Sequence, residues 1–458
     1  MYIEKAPTLQ EAFSSLDSDR LLHAVRTVGV SSSSAYLHWE EVRHRKPPED
    51  LTHREWWGAL KFSRVSLARN LPLTDPSGEA FAFSMTDFIL RELHHVDQKC
   101  SGSIAMPEVV TADEQAKQHY LVNSLMEEAI RSSQLEGATT SRRAAKELLR
   151  SGREPKDRSE RMILNNYRAL EFMREDIGDR ITPEIVLELQ RILTEGTLDN
   201  PDAAGRLQRP DEERVAVWDR TDGSLLHMPP PADQLPDRLE RMCEFANAHG
   251  DEEGEVIHPV IRAILLHFWL AYDHPFEDGN GRTARTLFYW AMRAQGYWLT
   301  EYLSISRILR NAPSKYARAF MLTETDEGDT TYFILYQLSV IRRAVEDLHT
   351  YLLRKVEEIR KVERLLRGSD EFNHRQLALL GDAIRYPDRT YTYRTHASTH
   401  NVTHETARAD LHHLHSRKLL NKRRDGRRHV FVPQPDLPDR LARASRRRAT
   451  NAPARATP

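Results

Sequence analysis

Twelve residues, HPFEDGNGRTAR at 274–285, place a histidine, two acids, two glycines around an asparagine and two arginines in one short stretch. Histidine is the side chain best able to take a proton near neutral pH, and His274 stands at the entrance of the stretch. Gly279 and Gly281, on either side of Asn280, allow positive φ and close approach, so successive backbone N–H groups can converge on an anion. Arg282 and Arg285 lie three apart, share a helix face and can both reach an anion held at the helix start. Two cations suit a polyphosphate. Asp278 beside them suits Mg²⁺, which favours one or two carboxylates with phosphate oxygens and water. Phe276 is the apolar anchor of the loop. Together these parts fit attack of a hydroxyl on a nucleotide phosphate, with His274 as the base.

Such a loop needs two helices to hold it. VIRAILLHFWLAY at 260–272 is an apolar helix that should stop near Asp273, because Pro275, Gly279 and Gly281 oppose its continuation. RTARTLFYWAMRAQ at 282–295 restarts a helix whose N-terminus adds partial positive charge to the cradle. From Arg161 to His349 the apolar residues recur at three- and four-residue spacing, which predicts a helical middle of the chain. The exception is RVAVWDRTDGSLLHMPPP at 214–231, a β-hairpin pattern around Asp222-Gly223. MEEAIRSSQLEGATTSRRAAKELL at 126–149 reads as a helix broken near Glu136-Gly137 and restarted from a Thr-Thr-Ser cap.

The loop resembles the signature of the Fic family, H-P-F-x-[D/E]-G-N-G-R-x-x-R, at every specified position, and the likeness extends over residues 113–350. It implies a protein adenylyltransferase of the Fido fold that moves AMP from ATP to a Ser, Thr or Tyr hydroxyl of a target protein. His274 would deprotonate the hydroxyl and Asp278 would bind Mg²⁺. Gly279, Asn280 and Gly281 would hold the α-phosphate region, and Arg282 and Arg285 the outer phosphates. Gly281 stands where a lysine accompanies phosphate transfer in the family, which favours AMP transfer. Ser132, Glu136 and Gly137 are similar to the family's inhibitory motif, [S/T]-x-x-x-E-[G/N], and by that resemblance Glu136 would reach Arg285 and block the γ-phosphate. The same glutamate supports AMP removal in some members, so that reverse activity is an alternative outcome. The hairpin resembles the family's flap, which holds the target segment as an added strand. Many members carry G-x-x-R before it; GRLQR here puts Gln208 at that place with Arg209 beside it. Tyr316 is a weak candidate for packing near adenine, since a core tyrosine is commoner.

Beyond residue 366 the composition shifts towards Arg, Lys and His. HRQLALLGDAIR, a short element around YRTHASTH, THETARADLHHLHSRKLL and then NKRRDGRRHVFV look like a winged helix-turn-helix. Thr403, His404, Thr406 and Arg408 would front the recognition helix, and Arg423, Arg424, Arg427 and Arg428 would form a basic wing suited to DNA phosphates. Docking to a protein is the other use of such a module, and a DNA-binding regulator that senses nucleotide through the Fic domain is the rival to the enzyme.

The expected organisation is mainly α: an N-terminal helical domain at 1–112, the Fic core with its flap and inhibitory helix at 113–350, a linker helix at 351–366, the winged helix at 367–434 and a disordered basic tail at 435–458. No chemical motif is visible in the first region; His94 and His95 are adjacent and make a poor metal pair. Among 458 residues, 66 Lys and Arg against 68 Asp and Glu leave the chain near neutral, which argues against a simple polycation. Cys100 and Cys243 are far apart, excluding a disulfide scaffold. The start lacks the pattern of a signal peptide and no apolar run reaches the length of a membrane span, so a cytoplasmic protein with no membrane partner is expected. Fic proteins often dimerise, which makes a homodimer a further expectation.

Overall fold

The computed structural model describes residues 3–14, 16–28, 36–101, 114–218, 223–248, 256–367, 371–386, 389–425 and 428–441. The chain divides into two compact units, one of residues 1–104 with 123–346 and the other of 105–122 with 347–458.

The first unit is mainly helical. It begins with α1 (Leu9–Phe13), α2 (Ser18–Val28), α3 (Trp39–Val42) and α4 (His53–Val65), whose core is built on Trp39, Trp56 and Trp57. A feature absent from the sequence expectation follows: an antiparallel hairpin of β1 (Ala68–Thr74) and β2 (Ala80–Ser84). Leu71, Leu73, Phe81 and Phe83 alternate inward, and Asp75 Oδ1 accepts from the N–H groups of Ser77 and Glu79 to close the turn. After α5 (Asp87–Val96) come α6 (Glu114–Leu135), α7 (Arg142–Ser151), α8 (Arg158–Glu175) and α9 (Pro183–Thr194). The break between α6 and α7 falls where expected, with Ser141 capping α7.

Strands β3 (Val217–Trp218) and β4 (Leu225–His227) pair antiparallel, and α10 (Leu235–Asn247) leads to the central pair, α11 (Pro259–Asp273) and α12 (Asn280–Ala294). Apolar residues surround α11 on all sides, and it is accordingly buried along nearly its whole length. α13 (Ile305–Asn311), α14 (Pro313–Glu324) and α15 (Thr331–Arg367) complete the helical order; residues 114–122 of α6 and 347–367 of α15 belong to the second unit. The N-terminal segment is tied to the loop before α15 by part-buried polar contacts, Lys61 to Asp326 at 2.7 Å and Tyr36 to Asp329 at 2.5 Å, and Tyr332 of α15 itself donates to Asp326 at 2.8 Å. β2 also pairs with that loop, through Ala82 N to Gly328 O and Thr330 N to Ala82 O. Residues 351–366, expected as a linker, are the C-terminal half of the single 37-residue helix α15.

In the second unit α16 (His374–Arg385), α17 (Tyr393–His400) and α18 (His404–Ser416) precede the hairpin β5 (Leu420–Asp425) and β6 (Arg428–Pro433). Leu380, Leu411, Leu414, Leu420 and Phe431 form its core. The expected tail begins too early at 435: residues 437–441 are helical, and Leu437 and Leu441, one turn apart, are buried in that core. Residues 442–458 lie outside the described residues. Among the described residues no helix is long and apolar enough to cross a membrane.

Candidate active site

α11 ends at His274, which takes left-handed backbone angles (φ 44°, ψ 53°) and donates its N–H to Leu270 O. Pro275 forbids another helical turn. A non-glycine residue in this region costs on the order of 1–2 kcal/mol, so neighbouring contacts must hold it. They are supplied largely by Arg214, whose Nη2 donates to the carbonyls of Asp273 (2.8 Å) and His274 (3.1 Å).

The loop beyond is stapled from within. Phe276 is fully buried, and Asn280 grips it by both backbone groups: Asn280 Oδ1 accepts from Phe276 N at 2.9 Å, and Asn280 Nδ2 donates to Phe276 O at 2.7 Å. Gly279 lies at φ 90°, where a side chain would be strained, and its carbonyl accepts from Thr283 N at 2.8 Å to start α12. Gln190 of α9 donates to Asp278 O at 3.0 Å. Asp278 itself accepts from Gly279 N at 2.5 Å and from Arg282 Nη2 at 3.1 Å, while its side chain stays 39% exposed.

The two arginines part company. Arg282 is buried against α9, with Nη1 on Leu193 O at 2.9 Å and Nη2 on Asp278, so it braces the loop rather than sharing an open face with Arg285. Arg285 turns to the end of α6. Its Nε donates to Ser132 Oγ at 2.9 Å, and its Nη2 donates to Ser132 O at 3.2 Å and to Glu136 Oε1 at 2.8 Å. Gly137 (φ 103°) ends α6 and leaves Glu136 one turn after Ser132, on the same face. A Cβ built on Gly281 would stand 3.0 Å from Arg285 Nη1 and 3.1 Å from Glu136 Cδ, and closer still to the carboxylate oxygen. Glu136 therefore lies over the first turn of α12, on the ground an anion would take. Arg285 Nη1 is buried without a hydrogen-bond partner among the described residues.

Burial gives these groups unusual proton affinities. Desolvation, with the nearby His227 and Arg214 charges, pulls the His274 imidazole down to about 3, against the Val215 carbonyl and Asp278. Its buried Nδ1 has no hydrogen-bond partner among the described residues. His274 is thus a neutral imidazole at pH 7, able to accept a proton. Burial works to lower Arg285, but Glu136 and Tyr316 hold it above the ordinary arginine value. Tyr316 hydrogen-bonds His267 Nε2 at 2.7 Å and packs on Phe320, the core position that is commoner for a helical tyrosine.

Gln190 and Arg214 escape sequence reasoning, as do the contacts of Gln208, because their partners are mostly backbone atoms. Gln208 N donates to Pro275 O at 2.9 Å, and its side chain pairs with Arg214. In the hairpin, Trp218, Leu225 and Met228 are 56%, 45% and 55% exposed, whereas His227 is buried on Tyr272 O and Glu324. Residues 219–222, with the expected turn residue Asp222, lie outside the described residues. In the second unit Thr403, His404 and Arg408 are exposed at the start of α18, with Thr406 half-buried, and Arg423 and Arg424 are exposed on β5. Arg427 lies outside the described residues, and Arg428 opens β6.

Residues 180–292 match the model of the Fic/DOC family. This stretch is similar to the Fic domain. It is 30% identical over 128 residues to protein adenylyltransferase Fic of Nematostella vectensis, a match covering 27% of this chain and 26% of that protein. It is 38% identical over 71 residues to the protein of the same name from Drosophila melanogaster, covering 16% and 14%. The chain thus spans about a quarter or less of these relatives' own lengths. A Fic family protein from Desulfovibrio desulfuricans aligns over 77% of this chain and 98% of its own, at 16% identity and a TM-score of 0.48. Within the matched residues, His274 to Arg285 form the junction of α11 and α12, and Glu136 approaches from outside them.

Proposed function

We propose that this Fic domain transfers AMP from ATP to a hydroxyl of a target protein and that Glu136 restrains it. The observation that carries this reading is the Glu136 carboxylate seated over Gly281 and on Arg285, one loop away from a neutral His274. A carboxylate there occupies donors suited to phosphate, and Nη1 of Arg285, without a hydrogen-bond partner among the described residues, is a further donor beside the same ground.

His274 would take the proton of the target hydroxyl as it attacks the α-phosphate, and pyrophosphate would leave. Backbone N–H groups at the start of α12 would stabilise the developing charge. Asp278, part-exposed beside the cradle and with lone pairs to spare, fits Mg²⁺ held jointly with phosphate oxygens; when bound, the ion would neutralise phosphate charge. The exposed apolar edge of the hairpin suits an extended target segment laid alongside it. Hydrolytic removal of AMP, with Glu136 positioning the attacking water and AMP and the free hydroxyl as products, is a second reaction open to the same groups.

For the second unit we propose a winged helix that binds DNA, supported by the exposed Thr403, His404 and Arg408 on α18 and Arg423 and Arg424 on the hairpin. On the rival reading the Fic domain only senses nucleotide for this unit. The two are separated by incubating wild type, Glu136→Gly and His274→Ala with labelled ATP, Mg²⁺ and lysate proteins. Label should transfer with Glu136→Gly and vanish with His274→Ala; no transfer from Glu136→Gly would sink the enzyme reading.

A further inference from the structure

We infer that Arg214, oriented by Gln208, is the positioning residue that fixes the His274 base and ties the hairpin to it. The inference rests on the transferase reading of His274 and adds a group which that reading does not use.

Arg214 commits every guanidinium nitrogen. Nε donates to Pro230 O at 2.8 Å, just past the hairpin; Nη1 donates to Gln208 Oε1; Nη2 donates to Asp273 O at 2.8 Å and His274 O at 3.1 Å. These last two carbonyls close α11 and have no helical successor to donate to them, so a cation here meets both an unfilled acceptor and the negative end of the helix. Gln208 is itself locked: its N–H donates to Pro275 O at 2.9 Å and its Nε2 to Glu213 O at 3.2 Å. One planar fork therefore joins the entry of the hairpin, its exit and the left-handed residue that carries the base. Movement of a docked target segment on the hairpin would be felt at His274 through this fork. The groups facing His274 are Arg214, His227, Asp278 and the Val215 carbonyl, and of these Arg214 is the permanent cation.

The test uses full-length protein in the Glu136→Gly background. Arg214→Gln should lower kcat on the order of 10–100-fold while KM for ATP stays within about threefold, since a misplaced base slows chemistry without touching the cradle. The acid limb of the pH–rate profile should move up, because a positive neighbour has gone. Arg214→Lys should restore the acid limb but only part of kcat, as an ammonium cannot span the same acceptors. Hydrogen exchange should quicken at 214–218 and 270–276 in Arg214→Gln but not in α9. That readout needs no turnover, so it decides the inference even if Glu136→Gly proves inactive, an outcome that would count against the transferase reading alone. Unchanged exchange in those two segments, or kcat within twofold of the parent with an unmoved acid limb, overturns the inference.

Discussion

Glu136 Oε1 and Arg285 Nη2 meet at 2.8 Å although they lie on different helical segments, and the arginine is fully buried while the carboxylate is one-third exposed. The pair is asymmetric: Arg285 stays anchored by Ser132 if Glu136 leaves, so the guanidinium keeps its place while its buried charge is left in need of another anion. An opening carboxylate and a fixed guanidinium are what a competitor for phosphate requires.

Removing that competitor should raise turnover. A hydrogen bond to a charged group contributes about 1.5–3 kcal/mol, which corresponds to roughly 10–150-fold. Glu136→Gly should increase the initial rate of AMP incorporation within that range, and Glu136→Gln, which keeps the volume but loses the charge, should fall between it and wild type. Initial rates of label incorporation at saturating Mg²⁺ check the order of the three proteins.

Gly281→Ala separates the cradle from the restraint. Gly281 has ordinary helical angles, so alanine adds no backbone strain and stability should change by no more than about 1 kcal/mol. Its methyl, however, would collide with the mobile end of Glu136 and crowd Arg285. Nucleotide affinity, followed by calorimetry, should drop at least about tenfold, as expected when an ordered anion contact is lost. The Glu136→Gly/Gly281→Ala double variant should not recover it, because the methyl fills the cradle itself; recovery would place the anion elsewhere.

His267 offers a pH signature. It is wholly buried, and desolvation with the Arg285 charge pulls it down to about 3 from 6.5. A base with a lowered folded pKa lets the unfolded chain bind the proton first, so its contribution falls as pH drops below 6.5 and continues to fall towards 3. His267→Gln keeps a polar partner for Tyr316 without titrating. The stability advantage of wild type over this variant should shrink by about 1.4 kcal/mol per pH unit between pH 6.5 and 4.5. Urea unfolding at several pH values measures it, and a gap that does not change with pH would contradict the buried neutral imidazole.

The parts of the site that were legible in the sequence are those whose partners are near in the chain. HPFEDGNGRTAR reads as a loop between helices because proline and glycine act on their own neighbours, and the α6–α7 break reads from Glu136-Gly137 and its following cap for the same reason. β1–β2 was equally readable from alternating Leu71, Leu73, Phe81 and Phe83 around Asp75-Pro76-Ser77-Gly78, but the helical periodicity on either side masks it. Arg282 illustrates the limit. Its spacing from Arg285 suggests a common face, yet the side chain is drawn the other way by Leu193 O, an acceptor 89 residues distant that no local pattern announces. Arg214 and Gln190 are hidden in the same manner, since a polar residue seeking a backbone carbonyl leaves no periodic trace. Buried Leu437 and Leu441, by contrast, sit one turn apart in sequence, and only the basic composition around them suggests a tail.

The second unit is tested by salt. A protein that neutralises DNA phosphates releases condensed counterions, so the logarithm of its affinity falls linearly with the logarithm of salt, by about 0.9 per phosphate contact on B-form DNA. Arg423 and Arg424 are exposed on β5, beside the start of β6, where a wing would meet the backbone. Arg423→Gln with Arg424→Gln should therefore weaken binding to any duplex and flatten the salt slope by about 1.8, measured by anisotropy of a labelled duplex over a salt series. Arg408→Ala on α18 should act differently, costing about 1–3 kcal/mol on a preferred sequence and less on a random one, because a side chain at the front of a recognition helix reads base edges. If the double variant keeps the parental slope, the hairpin does not lie on phosphates; if neither variant changes binding, the exposed face of α18 serves a protein partner instead.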